Sequence, residues 1–145
     1  MGVIYRQGTL AECVQVLEQI AEFAHKETID SLSARLKGKE RFLIQIAQEG
    51  EHLLGFKIGY QLDDTTFYSW LGGVSSRARK KGVAQKLLEI QQHWVVEQGY
   101  KQLKVKSRNQ FPSMLRLLLR NGYMIEKFES KQPLSTSRVH FIKLM

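Results

Sequence analysis

The sequence predicts an α/β or α+β domain built on a mixed β-sheet. Segments with strand-like alternation and segments with helical periodicity follow one another in the order β-α-α-β-β-β-α-β-α-β-β. A strand, a long helix and a second strand occupy residues 66–107, which is the arrangement of a right-handed parallel crossover. The 145 residues are 43% hydrophobic and 25% charged, so they suit one globular domain, which we assign to residues 1–145.

The first half of the chain is predicted to form four strands and two helices. Thr9 and Glu12 have the spacing of a capping box, so a helix is expected to begin directly after Thr9. A weaker helical segment ends at Gly38. The predicted elements are a strand over residues 3–6, helices over 10–24 and 28–36, and strands over 41–47, 53–61 and 66–74.

The second half is predicted to form two helices and three strands. Apolar residues recur at helical spacing from Val83 to Trp94, which predicts a long helix between Gly82 and Gly99. The remaining predicted elements are a strand over residues 102–107, a helix over 111–121 and two closing strands over 123–128 and 139–144.

Several classes of protein are excluded by composition and by missing signals. No apolar run approaches the ~18 residues that a membrane-spanning helix needs. Residues 1–7 lack the basic and apolar segments of a secretory signal. Cys13 is the single cysteine, which excludes an internal disulfide and a multi-cysteine metal site. We therefore expect a cytoplasmic protein that needs no metal and does not enter a membrane.

Positive charge is concentrated in one segment. The net charge of the chain is +8, but residues 1–76 carry −3, residues 77–120 carry +9 and residues 121–145 carry +2. A basic segment predicts an anionic partner such as nucleic acid, a membrane surface or a phosphorylated small molecule. A solvated basic face without a partner is the alternative interpretation.

The basic segment begins with a turn between a strand and the long helix, where residues 79–84 read RKKGVA. A helix N-terminus leaves about four N–H groups without intrahelical partners and carries about half a positive charge, so it binds phosphate readily. Gly82 lets the backbone approach a ligand closely. The R-x-x-G-x-A pattern differs from the glycine fingerprint of dinucleotide-binding folds and from a P-loop.

Residues 74–88, VSSRARKKGVAQKLL, resemble the acetyl-CoA loop of the GNAT superfamily of N-acetyltransferases. In that family a strand ending in Val is followed five residues later by Q/R-x-x-G-x-G/A and a helix, and here the step runs from Val74 to Arg79. Asn109, and the Gly122-Tyr123 pair after a leucine-rich helix, resemble the family's next block. The resemblance covers about residues 66–125 and implies a GNAT-like mixed, mainly antiparallel central sheet flanked by about four helices.

The resemblance also implies that acetyl-CoA is the co-substrate. The amides of residues 80–85 would hold its pyrophosphate, and residues 72–74 would present backbone groups to the pantetheine arm in the manner of an added strand. The implied cofactor-binding residues are Gly72, Gly73, Val74, Arg79, Lys80, Lys81, Gly82, Val83, Ala84, Gln85 and Asn109. The structural alternatives are a β-bulge at the two glycines and a helix-capping role for Asn109.

Two positions that are catalytic in many family members are changed. A Glu often lies five residues before the Asn, and a Tyr four residues before the Gly of the Gly-aromatic pair, whereas this sequence has Lys104 and Leu118 there. Another group must therefore take the proton of the acceptor amine. The candidate catalytic residues are His25, Glu27 and Tyr68, and each also has a structural interpretation as a helix-end or core residue.

Three functions remain open on this reasoning. The first is an N-acetyltransferase that moves an acetyl group from acetyl-CoA to a primary amine of a small molecule or peptide. The second is a non-catalytic CoA-binding protein, since the Glu and the Tyr are absent. The third is a nucleic-acid-binding module, which the lack of a stacking pattern in the basic segment disfavours. GNAT domains often dimerise, so a homodimer is an open expectation.

Overall fold

A computed structural model gives the fold of the protein and describes residues 2–20 and 27–145. Its helices are α1 (Leu10–Leu17), α2 (Ile29–Leu36), α3 (Val83–Glu97) and α4 (Pro112–Arg120). Its strands are β1 (Ile4–Gln7), β2 (Phe42–Glu49), β3 (His52–Gln61), β4 (Thr66–Val74), β5 (Gln102–Arg108), β6 (Met124–Glu129) and β7 (Arg138–Leu144). The predicted order of elements and the predicted fold class are confirmed. Among the described helices, none has the length and apolarity to cross a membrane.

The strands form one sheet in the order β1-β2-β3-β4-β5-β7-β6. Neighbouring strands run antiparallel except β4 and β5, which run parallel and are connected through α3. The parallel pairing expected across residues 66–107 is therefore confirmed. This connection brings the start of α3 next to the end of β4.

The first helix is shorter than predicted. Thr9 and Glu12 form the predicted capping box, but α1 ends at Leu17. The next hydrogen bonds, from Gln19 N to the Val16 oxygen and from Ile20 N to the Leu17 oxygen, span three residues and close the helix in a tighter turn. Residues 21–24 of the predicted helix lie outside the described residues.

Helices cover both faces of the sheet. Phe56 and Ile58 of β3 are buried against α1 and α2. The alternate residues Gly55 and Gly59 face α3, whose side chains would meet a Cβ at either position. Leu118 of α4 belongs to the core cluster on the α3 side. Each large apolar side chain buried in these layers contributes about 1.5–3 kcal/mol, so the helices hold the sheet rigidly between them.

The sheet opens between its two parallel strands. The pairing of β4 with β5 stops at Ser69↔Val105, although β4 continues to Val74. In the register of β3 with β4, Trp70 is an extra residue, and a β-bulge of this kind bends the strand. Within the part of the chain that the structure describes, the edge of β4 from Trp70 to Val74 has no strand on its β5 side. Its backbone groups are therefore available to a ligand.

Candidate active site

The turn between β4 and α3 has a left-handed backbone at two positions. A short 3-10 turn (Ser76–Ala78) follows β4, and Lys80 and Gly82 then have φ angles of 71° and 74°. A left-handed backbone costs roughly 1–2 kcal/mol at a residue with a Cβ. Strain of this kind concentrates at functional sites, and such turns direct backbone N–H groups into concave anion-binding surfaces.

Helix α3 begins at this turn with unsatisfied backbone donors. The first helical hydrogen bond runs from Lys86 N to the Gly82 oxygen (3.0 Å), so the N–H groups of Val83, Ala84 and Gln85 have no acceptor in the helix. Among the described residues, none caps the helix with a side chain at Gly82, and a Cβ there would meet nothing within 4 Å. The N-terminus of α3 is therefore open to an anion.

Exposed cationic side chains surround the turn; they are Arg77, Arg79, Lys80 and Lys81. Lys81 Nζ lies 3.2 Å from Glu49 Oε1. Arg77 Nη1 lies 2.8 Å from His52 Nδ1. An exposed ion pair such as Lys81–Glu49 contributes only about 0–1 kcal/mol, so an anionic ligand can compete for the lysine.

Gly72 and Gly73 lie on the part of β4 that lacks a partner on its β5 side. On its other side they pair in regular register with Lys57 and Phe56 of β3. Because the β-bulge lies at Trp70, the interpretation of the glycine pair as a bulge is wrong. A Cβ at Gly72 would lie 3.3 Å from the Phe56 carbonyl oxygen and 3.8 Å from Lys57 Nζ. The absence of a side chain at Gly72 therefore makes room for Lys57 and for a ligand backbone.

Gln85 joins the first turn of α3 to the end of α4. Its Nε2 donates to Asn121 Oδ1 (2.7 Å), and Asn121 Nδ2 donates back to Gln85 Oε1 (2.8 Å). The side chain of Gln85 is engaged in this pair, which leaves its backbone N–H for a phosphate.

Asn109 lies exposed beyond the end of β5. Helix α4 follows Phe111 and has no side-chain cap within the described chain, so the capping role considered for Asn109 is wrong. The backbone N–H of Asn109 donates to the Ser137 oxygen (2.9 Å).

The candidate catalytic residues lie on different elements. Tyr68 is half-buried on β4, edge-to-face with Tyr60 at a ring-centre distance of 5.4 Å, and burial raises the pKa of its phenol. It therefore keeps its proton at neutral pH. Glu27 precedes α2, where its Oε1 accepts a hydrogen bond from Ser31 Oγ (2.7 Å). His25 lies outside the described residues.

The two changed positions are occupied by residues that perform neither of the usual roles. Lys104 Nζ lies 3.2 Å from Glu126 Oε1, so this site carries a cation engaged in an ion pair. Leu118 is 1% exposed in the core. An alkyl side chain has no proton to donate, so a leaving group would need another donor.

Sequence reasoning missed Lys57. This lysine lies in β3 between the buried residues Phe56 and Ile58, and burial lowers the pKa of its ammonium to about 8. The signal in the sequence is a single charge inside the otherwise apolar and neutral strand at residues 53–61, LLGFKIGYQ.

Comparisons with known proteins identify the family. The family model described as "Acetyltransferase (GNAT) family" matches residues 10–123, which is more than half of the chain. The chain belongs to the GNAT acetyltransferase family. The resemblance inferred from the acetyl-CoA loop is therefore confirmed. At the level of sequence, no curated protein gives a significant match.

Solved structures share the fold of this GNAT chain over its whole length. Ard1 from Thermoplasma volcanium superposes with a TM-score of 0.86 at 15% identity, covering 100% of this chain and 99% of that one. The ribosomal-protein-S18-alanine N-acetyltransferase from Escherichia coli has a TM-score of 0.84 at 12% identity, covering 99% and 94%. A GNAT family acetyltransferase from Elizabethkingia anophelis, solved with acetyl-CoA bound, has a TM-score of 0.77 at 13% identity, covering 99% and 98%. At these identities the likeness establishes the fold alone.

Proposed function

We propose that this chain, acting as one domain, is an acetyl-CoA-dependent N-acetyltransferase whose acceptor is a primary amine of a small molecule or a peptide. The observation that carries the proposal is the continuous path from the unpaired edge of β4 through the left-handed turn to the start of α3. An amide-containing arm suits the strand edge, and phosphates suit the N–H groups at the helix start. Acetyl-CoA combines both features.

Each part of acetyl-CoA has a proposed set of partners. The backbone of Gly72, Gly73 and Val74 binds the pantetheine arm, with Asn109 across the opening. The backbone N–H groups of residues 80–85 bind the pyrophosphate, and Arg79, Lys80 and Lys81 balance its charge. When bound, acetyl-CoA would supply an acetyl thioester, and backbone N–H groups at the Gly72 end of the unpaired β4 edge would polarise its carbonyl group in the manner of an oxyanion hole.

The acceptor amine must be neutral before it attacks. A lysine-like amine has a pKa of ~10.4, so about one molecule in 2,500 is neutral at pH 7, and deprotonating it costs about 4.6 kcal/mol. An α-amine, with a pKa of ~7.7–8.0, needs far less help. We propose that Glu27 or His25 takes the proton, directly or through water, and that Tyr68, which stays protonated, orients the amine.

Cations beside Tyr68 and Trp70 bear on the class of acceptor. Both side chains pack on the α1 and α2 side of the sheet, next to the bulge. The Arg35 guanidinium lies 4.8 Å from the Trp70 ring centre, and Lys106 Nζ lies 5.6 Å from the Tyr68 ring centre. This surface favours an acceptor with a carboxylate near its amine over a polyamine. An amino acid or a short peptide meets both requirements, because its α-amine is easily deprotonated and its carboxylate can pair with these cations.

A non-catalytic CoA-binding protein is the second candidate, and the buried Leu118 and the Lys104–Glu126 pair favour it. Nucleic-acid binding fits less well, because the basic segment carries few aromatic side chains that could stack on bases. A cytoplasmic location and a homodimer stay predictions.

Thermal stabilisation and thiol release with acetyl-CoA, measured across amino acids, peptides and polyamines, test the proposal. We expect acetyl-CoA to stabilise the protein and one acetylated amine to form for each thiol released. Stabilisation without thiol release for any amine supports the non-catalytic candidate. Absence of stabilisation contradicts both.

Charge reversal tests the proposed phosphate site. The double variant Arg79→Glu, Lys81→Glu should lose CoA binding, because it places two carboxylates at the start of α3. Lys101→Glu is the matched control, since Lys101 is exposed beyond the other end of the same helix. Equal CoA affinity of the double variant and the parent would contradict the phosphate site.

A further inference from the structure

We propose that the Lys57 ammonium is the proton donor for the sulfur that leaves when the acetyl thioester is cleaved. This role rests on the proposed function and adds to it a residue on β3. Lys57 supplies the proton that the alkyl side chain of Leu118, in the core, cannot donate.

Lys57 lies on the α3 face of the sheet. Gly55 and Gly59, two residues before and after it on β3, both face α3. Its neighbours across the sheet are Gln45 on β2 and Gly72 on β4. The side chain is partly buried, and burial lowers the pKa of its ammonium.

The surroundings of Lys57 are neutral and polar. Gln45 donates from Nε2 to the Leu87 oxygen (3.3 Å), and Gln91 of α3 is completely buried. Gln45 Oε1 and both amide atoms of Gln91 find no hydrogen-bond partner among the described residues. The groups that face Lys57 from β2, β4 and α3 are thus Gln45, Gly72, Leu87 and Gln91, none of which titrates.

No carboxylate compensates this buried cation within residues 2–20 and 27–145. Lys81 and Lys104, by contrast, each have a glutamate oxygen 3.2 Å away. A buried ammonium without a counter-charge is costly to the fold. A ligand that develops negative charge beside Lys57 would offset this cost by pairing with the ammonium.

Gly72 connects Lys57 with the opening in the sheet. A Cβ at Gly72 would lie 3.6 Å from Lys57 Cγ and 3.8 Å from Nζ, so the lysine extends over the glycine. The unpaired edge of β4 runs from Trp70 to Val74 and continues to the phosphate-binding turn. In acetyl-CoA the thioester is at the opposite end of the arm from the phosphates. It therefore belongs at the Gly72 end of that edge, where the ammonium lies.

The proton transfer balances. The acceptor nitrogen forms a bond to the thioester carbon, the C–S bond breaks, and its electron pair goes to sulfur. Lys57 Nζ gives a proton to that sulfur and becomes a neutral amine. It regains a proton from solvent, which has received the one lost by the acceptor nitrogen. Burial holds the pKa of Lys57 at about 8, close to the ~8.5 of a free thiol, so the transfer is nearly isoenergetic.

The test uses the reaction product, CoA, bound to the full-length protein. Thiolate absorbance in the ultraviolet, measured against pH, gives the pKa of the bound thiol. We expect a value at least about one unit lower in the parent than in Lys57→Met, since an ammonium favours the neighbouring thiolate. Lys143→Met is the matched control, because Lys143 is also partly buried and also has neutral partners, Gln92 Oε1 (3.1 Å) and the Asn121 oxygen (2.7 Å). It should leave the thiol pKa at the parent value.

The outcomes separate the proton-donor role from the proposed function. If parent and Lys57→Met both bind CoA and show the same thiol pKa, the donor role is wrong and the acetyl-CoA site stands. If the parent does not bind CoA, the site and the donor role both fall. Acetylation of Lys57 Nζ by acetyl-CoA, detected as a mass increase of its peptide, would also overturn the role, because an amide nitrogen cannot supply the proton.

Discussion

Gly82→Ala is the sharpest test of the start of α3. Gly82 has φ 74° and ψ 15°, and a Cβ there would meet nothing within 4 Å. The substitution therefore creates no clash within the described chain. Its cost to the fold is the left-handed backbone of an alanine, roughly 1–2 kcal/mol. For a domain of this size that corresponds to a decrease in Tm of roughly 3–6 °C.

The cost to CoA binding should be larger than the cost to the fold. The new methyl group lies where phosphate oxygens would approach the N–H groups of Val83, Ala84 and Gln85. A hydrogen bond to a charged group contributes about 1.5–3 kcal/mol, so weakening even one predicts a loss of about tenfold or more in affinity. At a CoA concentration of 100 times the parent Kd, stabilisation would fall from about 2.7 to about 1.4 kcal/mol.

Gly99→Ala is the matched control. Gly99 has φ 91°, a Cβ there would also meet nothing within 4 Å, and it lies just beyond the other end of α3. Calorimetric titration with CoA, together with thermal unfolding, should show similar losses of stability in both variants but a weaker CoA affinity in Gly82→Ala alone. Parent-like affinity in Gly82→Ala would refute the role of the α3 N-terminus.

Three further predictions concern stability and can be checked by chemical denaturation. Lys57→Met should raise the free energy of unfolding by about 1–3 kcal/mol at pH 7. Because burial lowers the pKa of Lys57 in the folded state to about 8, the charged lysine destabilises the parent fully below pH 8. The stability advantage of Lys57→Met should therefore vanish as the pH rises from 8 towards 10.5, and an advantage that stays constant over this range would contradict the reasoning. Glu12→Gln should be less stable than the parent at pH 7, because the Arg6 guanidinium lowers the pKa of Glu12 to about 2. This difference should disappear as the pH falls from about 4.5 to 2, and a difference that persists at pH 2 would have another cause. Asn121→Ala should cost about 1 kcal/mol, because Gln85 loses its two hydrogen bonds with Asn121 and keeps only the one that its Nε2 donates to Glu89 Oε2; an unchanged free energy of unfolding would show that the Gln85–Asn121 pair does not stabilise the fold.

Most of the fold follows from local signals in the sequence. The Thr9–Glu12 capping box, the apolar repeat of α3 and the alternation in β5 each fix an element through interactions between near neighbours. The end of α1 was predicted less well, because its apolar periodicity continues past Leu17 while the backbone hydrogen bonds tighten to three-residue spacing.

The site is only partly readable from the sequence. The turn at residues 79–84 is predictable, because its glycine and its cationic residues are adjacent in the sequence. The opening beside it is not, because it depends on where β4 and β5 stop pairing and on the bulge at Trp70, which involve residues distant in the chain. Lys57 was missed for the same reason, since its nearness to Gly72 exists only across two strands. The engagement of the Gln85 side chain by Asn121 likewise joins residues that are distant in the chain.

The most direct test of the central claim is a crystal structure of the protein with acetyl-CoA. Our account predicts pyrophosphate oxygens within hydrogen-bonding distance of the backbone N–H groups at the start of α3, and the pantetheine arm along Gly72, Gly73 and Val74 with its thioester beside Lys57. An acetyl-CoA molecule bound elsewhere, with the edge of β4 and the start of α3 left free, would contradict it.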